Sequence, residues 1–123
     1  ASVGYVDVLV NNAGIPGWGA VMDRKLEYFR KVMNVNLFGH IQMVQTFYPL
    51  LRKSTSSPII INMSSQGGNY AFPFWSPYHM SKWALEAFSD PQLNSETSRA
   101  EREFILASES TTTVYDVIAD QSD

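Results

Sequence analysis

Two short apolar runs, Val6 to Asn11 (VDVLVN) and Ile59 to Ser64 (IIINMS), bracket one long amphipathic stretch, and that order most constrains the fold. Each run is rich in β-branched residues and ends in polar turn residues, the pattern of a strand buried on both faces. Between them, apolar residues fall at 26, 29, 33, 37, 41, 44, 48 and 51. Steps of three and four residues put them on one stripe of a helix, which should end near Arg52-Lys53, where cations suit the carbonyl end. A second helix is expected over YHMSKWALEAF, with Ala84, Leu85, Ala87 and Phe88 as packing residues. Strand, helix, strand, helix implies parallel strands joined by right-handed crossovers. The chain therefore reads as α/β, part of an open doubly wound parallel sheet with helices on both faces.

Composition narrows the chemistry. Of 123 residues, 45% are apolar and 17% charged, enough to bury a core. No cysteine is present, which removes disulfides, thiolate nucleophiles and thiolate metal sites, and His40 and His79 are too few for a zinc cluster. No metal site is expected. Nine Lys and Arg against twelve Asp and Glu give −3, no basic footprint for nucleic acid. No apolar run approaches the roughly 20 residues of a membrane span. A cytoplasmic location is the expectation.

Charge is unevenly spread. Residues 1–93 carry seven bases and five acids, +2, while residues 94–123 carry two bases and seven acids, −5. The sequence thus divides near Asp90-Pro91, into a 1–90 unit and an acidic, Ser/Thr-rich 91–123 tail. In that tail Ser98 to Glu101 could cap a short helix running through Leu106, and Thr112 to Ile118 could form a strand.

The turn after the first run, Asn12 to Gly19, is glycine-rich. A dinucleotide phosphate loop would need a helix opening directly on it and an acid about 20 residues on. Pro16 and Trp18 interrupt, and the matching region holds Asn34 and Asn36. A plain turn is the better reading. The chemistry lies elsewhere. Tyr78 and Lys82 share a helix face at i and i+4. A phenol has a pKa of about 10, and an ammonium group beside it favours the phenolate, so proton exchange near neutrality becomes possible. Ser64-Ser65 close the second strand at its carboxyl end, where open α/β sheets place ligand sites. Asn36 lies inside the long helix, an unfavourable place for an amide without a task. His79, about 100° round the helix from Tyr78, reads as a packing or surface residue.

In this order, N-N-A-G (Asn11 to Gly14), N-V-N-L-F-G (Asn34 to Gly39), N-M-S-S (Asn62 to Ser65) and Y-H-M-S-K (Tyr78 to Lys82) resemble the short-chain dehydrogenase/reductase family. The resemblance runs from about Val6 to Asp90. A-L-E-A-F-S-D (Ala84 to Asp90) is similar to the retinol and hydroxysteroid dehydrogenase group. What the resemblance implies is a Rossmann-like fold and hydride transfer between NAD or NADP and a small alcohol or carbonyl substrate, in a homo-oligomeric parent enzyme. Tyr78 then stands where the family has its acid/base. Lys82 matches the partner that tunes the phenol and binds the nicotinamide ribose. Ser65, thirteen residues before Tyr78, matches the hydroxyl that polarises the carbonyl; Ser64 lacks that spacing. Asn36 matches the residue whose kinked helix holds a water relaying protons to Lys82. A side chain holding such a water should break one helical bond near Val35 or Asn36, leaving a kink or π-type turn. Asn12, Ala13 and Gly14 match the turn against the adenosine side of the cofactor.

The family's first βαβ half, with its glycine loop, has no counterpart in this sequence, and nothing after Asp90 resembles the family. Two alternatives follow: a non-catalytic or non-folding fragment of such an enzyme, or a sugar-nucleotide epimerase or dehydratase, which N-N-A-G disfavours. Ordering costs about 1–2 kcal/mol per residue, so a chain with half the usual core is expected to be inactive and poorly folded alone.

Overall fold

The computed structural model describes residues 4–89, 104–107 and 112–116. Strand β1 (Val8–Asn11) leads through an irregular segment and a 3₁₀ turn (Val21–Asp23) into α1 (Leu26–Met33). A π-helical segment (Asn34–Phe38) joins α1 to α2 (Gly39–Leu51), so the long helix is continuous but not uniform. Strand β2 (Ile59–Met63) follows, then a 3₁₀ turn (Gln66–Gly68) and α3 (Ser76–Ser89). The expected β-α-β-α order is present.

β1 and β2 pair in parallel, with Leu9 opposite Ile60 and Asn11 opposite Asn62. Because side chains alternate along a strand, those four residues share one face. Leu9 and Ile60 pack there with Leu51 of α2, beside Val6, Val44 and Phe47. The Asn62 amide donates to Ser89 Oγ of α3 at 2.9 Å, so α3 lies over the same face. Coverage of both faces, expected from the apolar strands, is not seen among the described residues. Val8 and Val10, on the opposite face of β1, are 49% and 53% exposed. The result is a partial parallel sheet flanked by helices, as for part of a Rossmann-like fold.

Beyond residue 89 the sheet changes character. β3 (Phe104–Ala107) and β4 (Thr112–Asp116) pair antiparallel, and β4 pairs antiparallel with the free edge of β2, giving the order β1-β2-β4-β3. The strand expected from Thr112 is there through Asp116. The short helix expected through Leu106 is not: Phe104 to Leu106 are strand, and the pairing of Phe104 with Tyr115 shows tertiary pairing overriding a local capping signal. The rest of that expected helix lies outside the described residues.

Candidate active site

The irregular segment after β1 is where the site is built. It has no ladder of its own, and residues from four other places hold it. The Ala13 carbonyl accepts from His40 Nε2 at 2.8 Å. Ile15 is gripped on both sides by Asn36: its N–H donates to Oδ1 at 2.8 Å, and its carbonyl accepts from Nδ2 at 2.9 Å. The Gly17 carbonyl accepts from Tyr78 N at 3.3 Å, and Gly19 N donates to the Phe74 carbonyl at 2.7 Å. An extended segment is thus pinned at every second residue. No helix opens directly on Asn12 to Gly19, as a phosphate loop would need, and the segment is irregular rather than the plain turn expected.

Asn36 is fully buried, and its amide has a task. The second Nδ2 hydrogen goes to Ser81 Oγ at 3.0 Å, and Ser81 in turn donates to the Tyr78 carbonyl at 2.7 Å. The π-type turn is found where it was expected, with Gly39 N bonding back five residues to the Asn34 carbonyl. Both amide hydrogens of Asn36 are spent on protein acceptors, so this side chain ties the loop to α3. The helical stripe departs from the expected one at its ends. Val32, Asn36 and His40, at i, i+4 and i+8, are buried beside Leu37 of the expected stripe, while Leu26 and Tyr48 at its ends are exposed.

Lys82 reaches across from α3. It is nearly buried, donates to the Met63 carbonyl at 2.9 Å, and places Nζ 5.7 Å from the centre of the Tyr78 ring. A methyl group at Gly14 would touch both Lys82 Nζ, at 3.7 Å, and Asn36 Oδ1, at 3.6 Å. Gly14, Asn36, Tyr78 and Lys82, drawn from three separate motifs, therefore converge. Burial pushes the Lys82 ammonium below the ordinary lysine range, and the nearby Glu86 carboxylate partly offsets this. Asn12, Ala13 and Gly14 are exposed at the carboxyl end of β1.

Ser65 caps the 3₁₀ turn, its Oγ accepting from Gly67 N at 3.1 Å. Gly67 then carries the backbone under the Tyr78 ring: a Cβ there would come within 2.9 Å of Tyr78 Cε1, closer than side chains tolerate. Ser64 differs. Its Oγ is buried with no partner among the described residues. His79 is a packing residue: Nε2 accepts from Phe72 N at 2.8 Å, so Nδ1 carries the proton and donates to the Gly67 carbonyl at 2.9 Å.

Sequence reasoning missed several residues. Ala87, expected to pack, is exposed, whereas Ser81, inside the quoted Y-H-M-S-K, is the buried hub between Asn36 and Tyr78. Asn11 and Asn62, also inside quoted motifs, join through Asn11 Nδ2 to Asn62 Oδ1 at 2.9 Å and lock the two strands beneath the site. Buried amides on facing strands were the available signal. His40 was weighed only as a metal ligand. It is buried, and its Nδ1 finds no partner among the described residues. Burial lowers its basicity, the bond to Ala13 opposes this, and the Lys82 charge adds to the lowering.

The chain is 45% identical over 85 residues to an uncharacterized oxidoreductase, YusZ, of Bacillus subtilis, covering 69% of this chain and 30% of that protein. It is 43% identical over 82 residues to mitochondrial D-beta-hydroxybutyrate dehydrogenase of Mus musculus, covering 67% of this chain and 23% of that protein. The chain thus spans under a third of the length of these relatives. Among solved structures, the ligand-free aldohexose dehydrogenase of Thermoplasma acidophilum superposes with a TM-score of 0.67 at 32% identity, over 70% of this chain and 33% of that one. A short chain dehydrogenase/reductase from Burkholderia phymatum, in complex with NAD, gives 0.66 at 28%, over 70% and 31%. Residues 1–101 match the family described as short chain dehydrogenase, and on that match the chain belongs to the short-chain dehydrogenase family.

Proposed function

We propose that this chain is the catalytic portion of an NAD(P)-dependent oxidoreductase acting on a small alcohol or its carbonyl. The observation that carries the reading is the convergence of Lys82 Nζ, Asn36 Oδ1 and Gly14 beside the Tyr78 ring. Tyr78 gives or takes the proton at the substrate oxygen. Lys82, one donor spent on Met63, keeps further N–H groups for the open side where Gly14 lacks a side chain. Those donors and the exposed turn Asn12, Ala13 and Gly14 would hold a nicotinamide dinucleotide, and the missing Cβ at Gly14 leaves room for a close approach. When bound, that group supplies or accepts hydride. Ser65, with its Oγ beside the turn under Tyr78, orients the substrate oxygen; Ser64, turned inward, does not. Asn36 acts by position: it holds Ile15 and Ser81, while the five-residue bonding step of the π segment frees main-chain carbonyl capacity for a relay water leading to Lys82.

General acid/base help is worth about 10²–10⁴ in rate, so Tyr78→Phe, in the full-length protein carrying this stretch, should lower turnover by that factor. Turnover within tenfold of the unmodified protein overturns the assignment. A second reading, a non-catalytic fragment, is favoured by the coverage of under a third of each relative. Two measurements separate them: micromolar binding of NADH or NADPH by the 123-residue chain in calorimetry counts against a non-folding fragment, and turnover by the full-length protein that depends on Tyr78 excludes a non-catalytic one.

A further inference from the structure

The second half of the pinned segment forms a feature the oxidoreductase reading does not use. A cleft of about 380 Å³ opens between Trp18, Gly19, Ala20, Asp23, Arg24 and Phe74. Its volume lies within the range of small-molecule sites. At its floor Arg24 is immobilised from several directions. Nε donates to the Trp18 carbonyl at 3.0 Å, and the guanidinium lies 5.4 Å from the Trp18 ring centre and 4.8 Å from that of Tyr28. The Tyr28 hydroxyl accepts from Trp18 N at 3.2 Å, fixing the second ring. Gly19, at φ +128°, removes the side chain that would collide with Arg24. Among the described residues no carboxylate pairs with Arg24.

A guanidinium whose faces meet rings and whose Nε is spent has one thing left to offer, the edge of its terminal nitrogens. That edge matches a carboxylate in a two-point contact. The walls beside it are flat and apolar: Trp18 is 56% exposed and Phe74 65%. Phe74 sits at φ 68°, a conformation disfavoured for a bulky residue, and the bond from Gly19 holds it there. Asp23, on the same rim, makes the cleft close to neutral and disfavours a dianion. We propose that this cleft binds an organic monocarboxylate with a flat apolar body, its carboxylate on the Arg24 edge and its body between Trp18 and Phe74. The cleft adjoins the reaction centre, since Gly17 bonds Tyr78 N and Trp75, next to Phe74, meets the Tyr78 ring edge-on at 6.0 Å. The carboxylate end would thus anchor a substrate whose far end reaches Tyr78, and only that orientation rests on the oxidoreductase reading.

The test uses the full-length protein carrying this stretch, ¹⁵N-labelled, with naphthalene-2-carboxylate as probe and naphthalene-2-carboxamide as its uncharged match. The acid should shift the Trp18 indole N–H and Arg24 Nε–H signals, and the amide should bind about tenfold more weakly, as loss of a charge-assisted pair requires. Arg24→Gln should abolish the difference between the two. Arg24→Lys, which keeps the charge but not the fork, should restore only part of it. Tyr78→Phe should leave probe binding in place, so the cleft and the acid/base reading can fail separately. Equal binding of acid and amide, tighter binding of naphthyl phosphate, unchanged binding in Arg24→Gln, or no shift at all would each overturn the proposal, the last two leaving Arg24 as a loop clamp only.

Discussion

The segment from Ala13 to Gly19 is held by two kinds of grip, and its halves behave differently for that reason. Ala13 and Ile15 are gripped by buried side chains, His40 and Asn36, on the long helix. Gly17 and Gly19 are gripped by main-chain groups of Tyr78 and Phe74; Gly17 is buried against Val32 and Pro77, while the Trp18 and Phe74 side chains between and beside them stand largely in solvent. A buried side-chain grip is unforgiving, because removing it strands polar groups away from water. A main-chain grip survives most substitutions. The first half can therefore present fixed atoms to Lys82, while in the second half, between the two close-packed glycines, the Trp18 side chain is free to vary.

Breaking the buried grip should have the larger effect. Asn36→Ala strands the Ile15 N–H and carbonyl and leaves Ser81 without its donor. Each unsatisfied buried group costs about 1–3 kcal/mol, so protection of the Ile15 amide should fall by about 10²-fold in hydrogen exchange. The Gly19 amide, held by Phe74 O, should change much less. Equal loss at both amides would show that the two halves are one unit and would dissolve the distinction.

The second test sharpens it through pH. His40 must carry its proton on Nε2 to donate to Ala13, so charging the ring means protonating a buried Nδ1 that has no acceptor among the described residues. Burial and the Lys82 charge hold its folded pKa below the ordinary 6.5. Below 6.5 the unfolded chain then binds more protons than the folded one, and stability falls as pH drops through that value toward the folded pKa. Ile15 and Ala13 protection should weaken across that window, after correction for intrinsic exchange. His40→Gln, which keeps a donor for Ala13 but does not titrate, should flatten the dependence. Persistence of the same acid loss in His40→Gln would assign it to another group.

These grips mark where sequence reading succeeded and where it stopped. Tyr78 and Lys82 were legible because i and i+4 on a helix is local geometry. The site of the helical irregularity was legible because an amide inside an apolar stripe needs a reason. The partners of that amide were not, since Ile15 lies 21 residues away on a segment without periodicity. The buried stripe was only partly legible: Val32, Asn36 and His40 share a face at i, i+4 and i+8, but a polar Asn and His do not announce a buried face by hydrophobicity. The antiparallel pairing of β4 on β2 is a contact between distant segments, and neither strand announces its partner.

The smallest effect is expected at the rim, and it decides whether Trp18 is as replaceable as claimed. Trp18 contributes both main-chain groups to the local network, its N–H to Tyr28 and its carbonyl to Arg24. Trp18→Ala keeps both and removes only the ring under the guanidinium. An exposed cation–ring contact is worth about 0.5–1 kcal/mol, so Gly19 amide protection should fall by less than about fivefold. Ile15 protection should not move. Gly19→Ala supplies the contrast, because it leaves the ring in place but forces a side chain into a left-handed backbone and into Arg24. It should cost clearly more than losing the whole indole. If Trp18→Ala proved the worse of the two, the indole rather than the main chain would be holding this half, and Trp18 would not be free to vary.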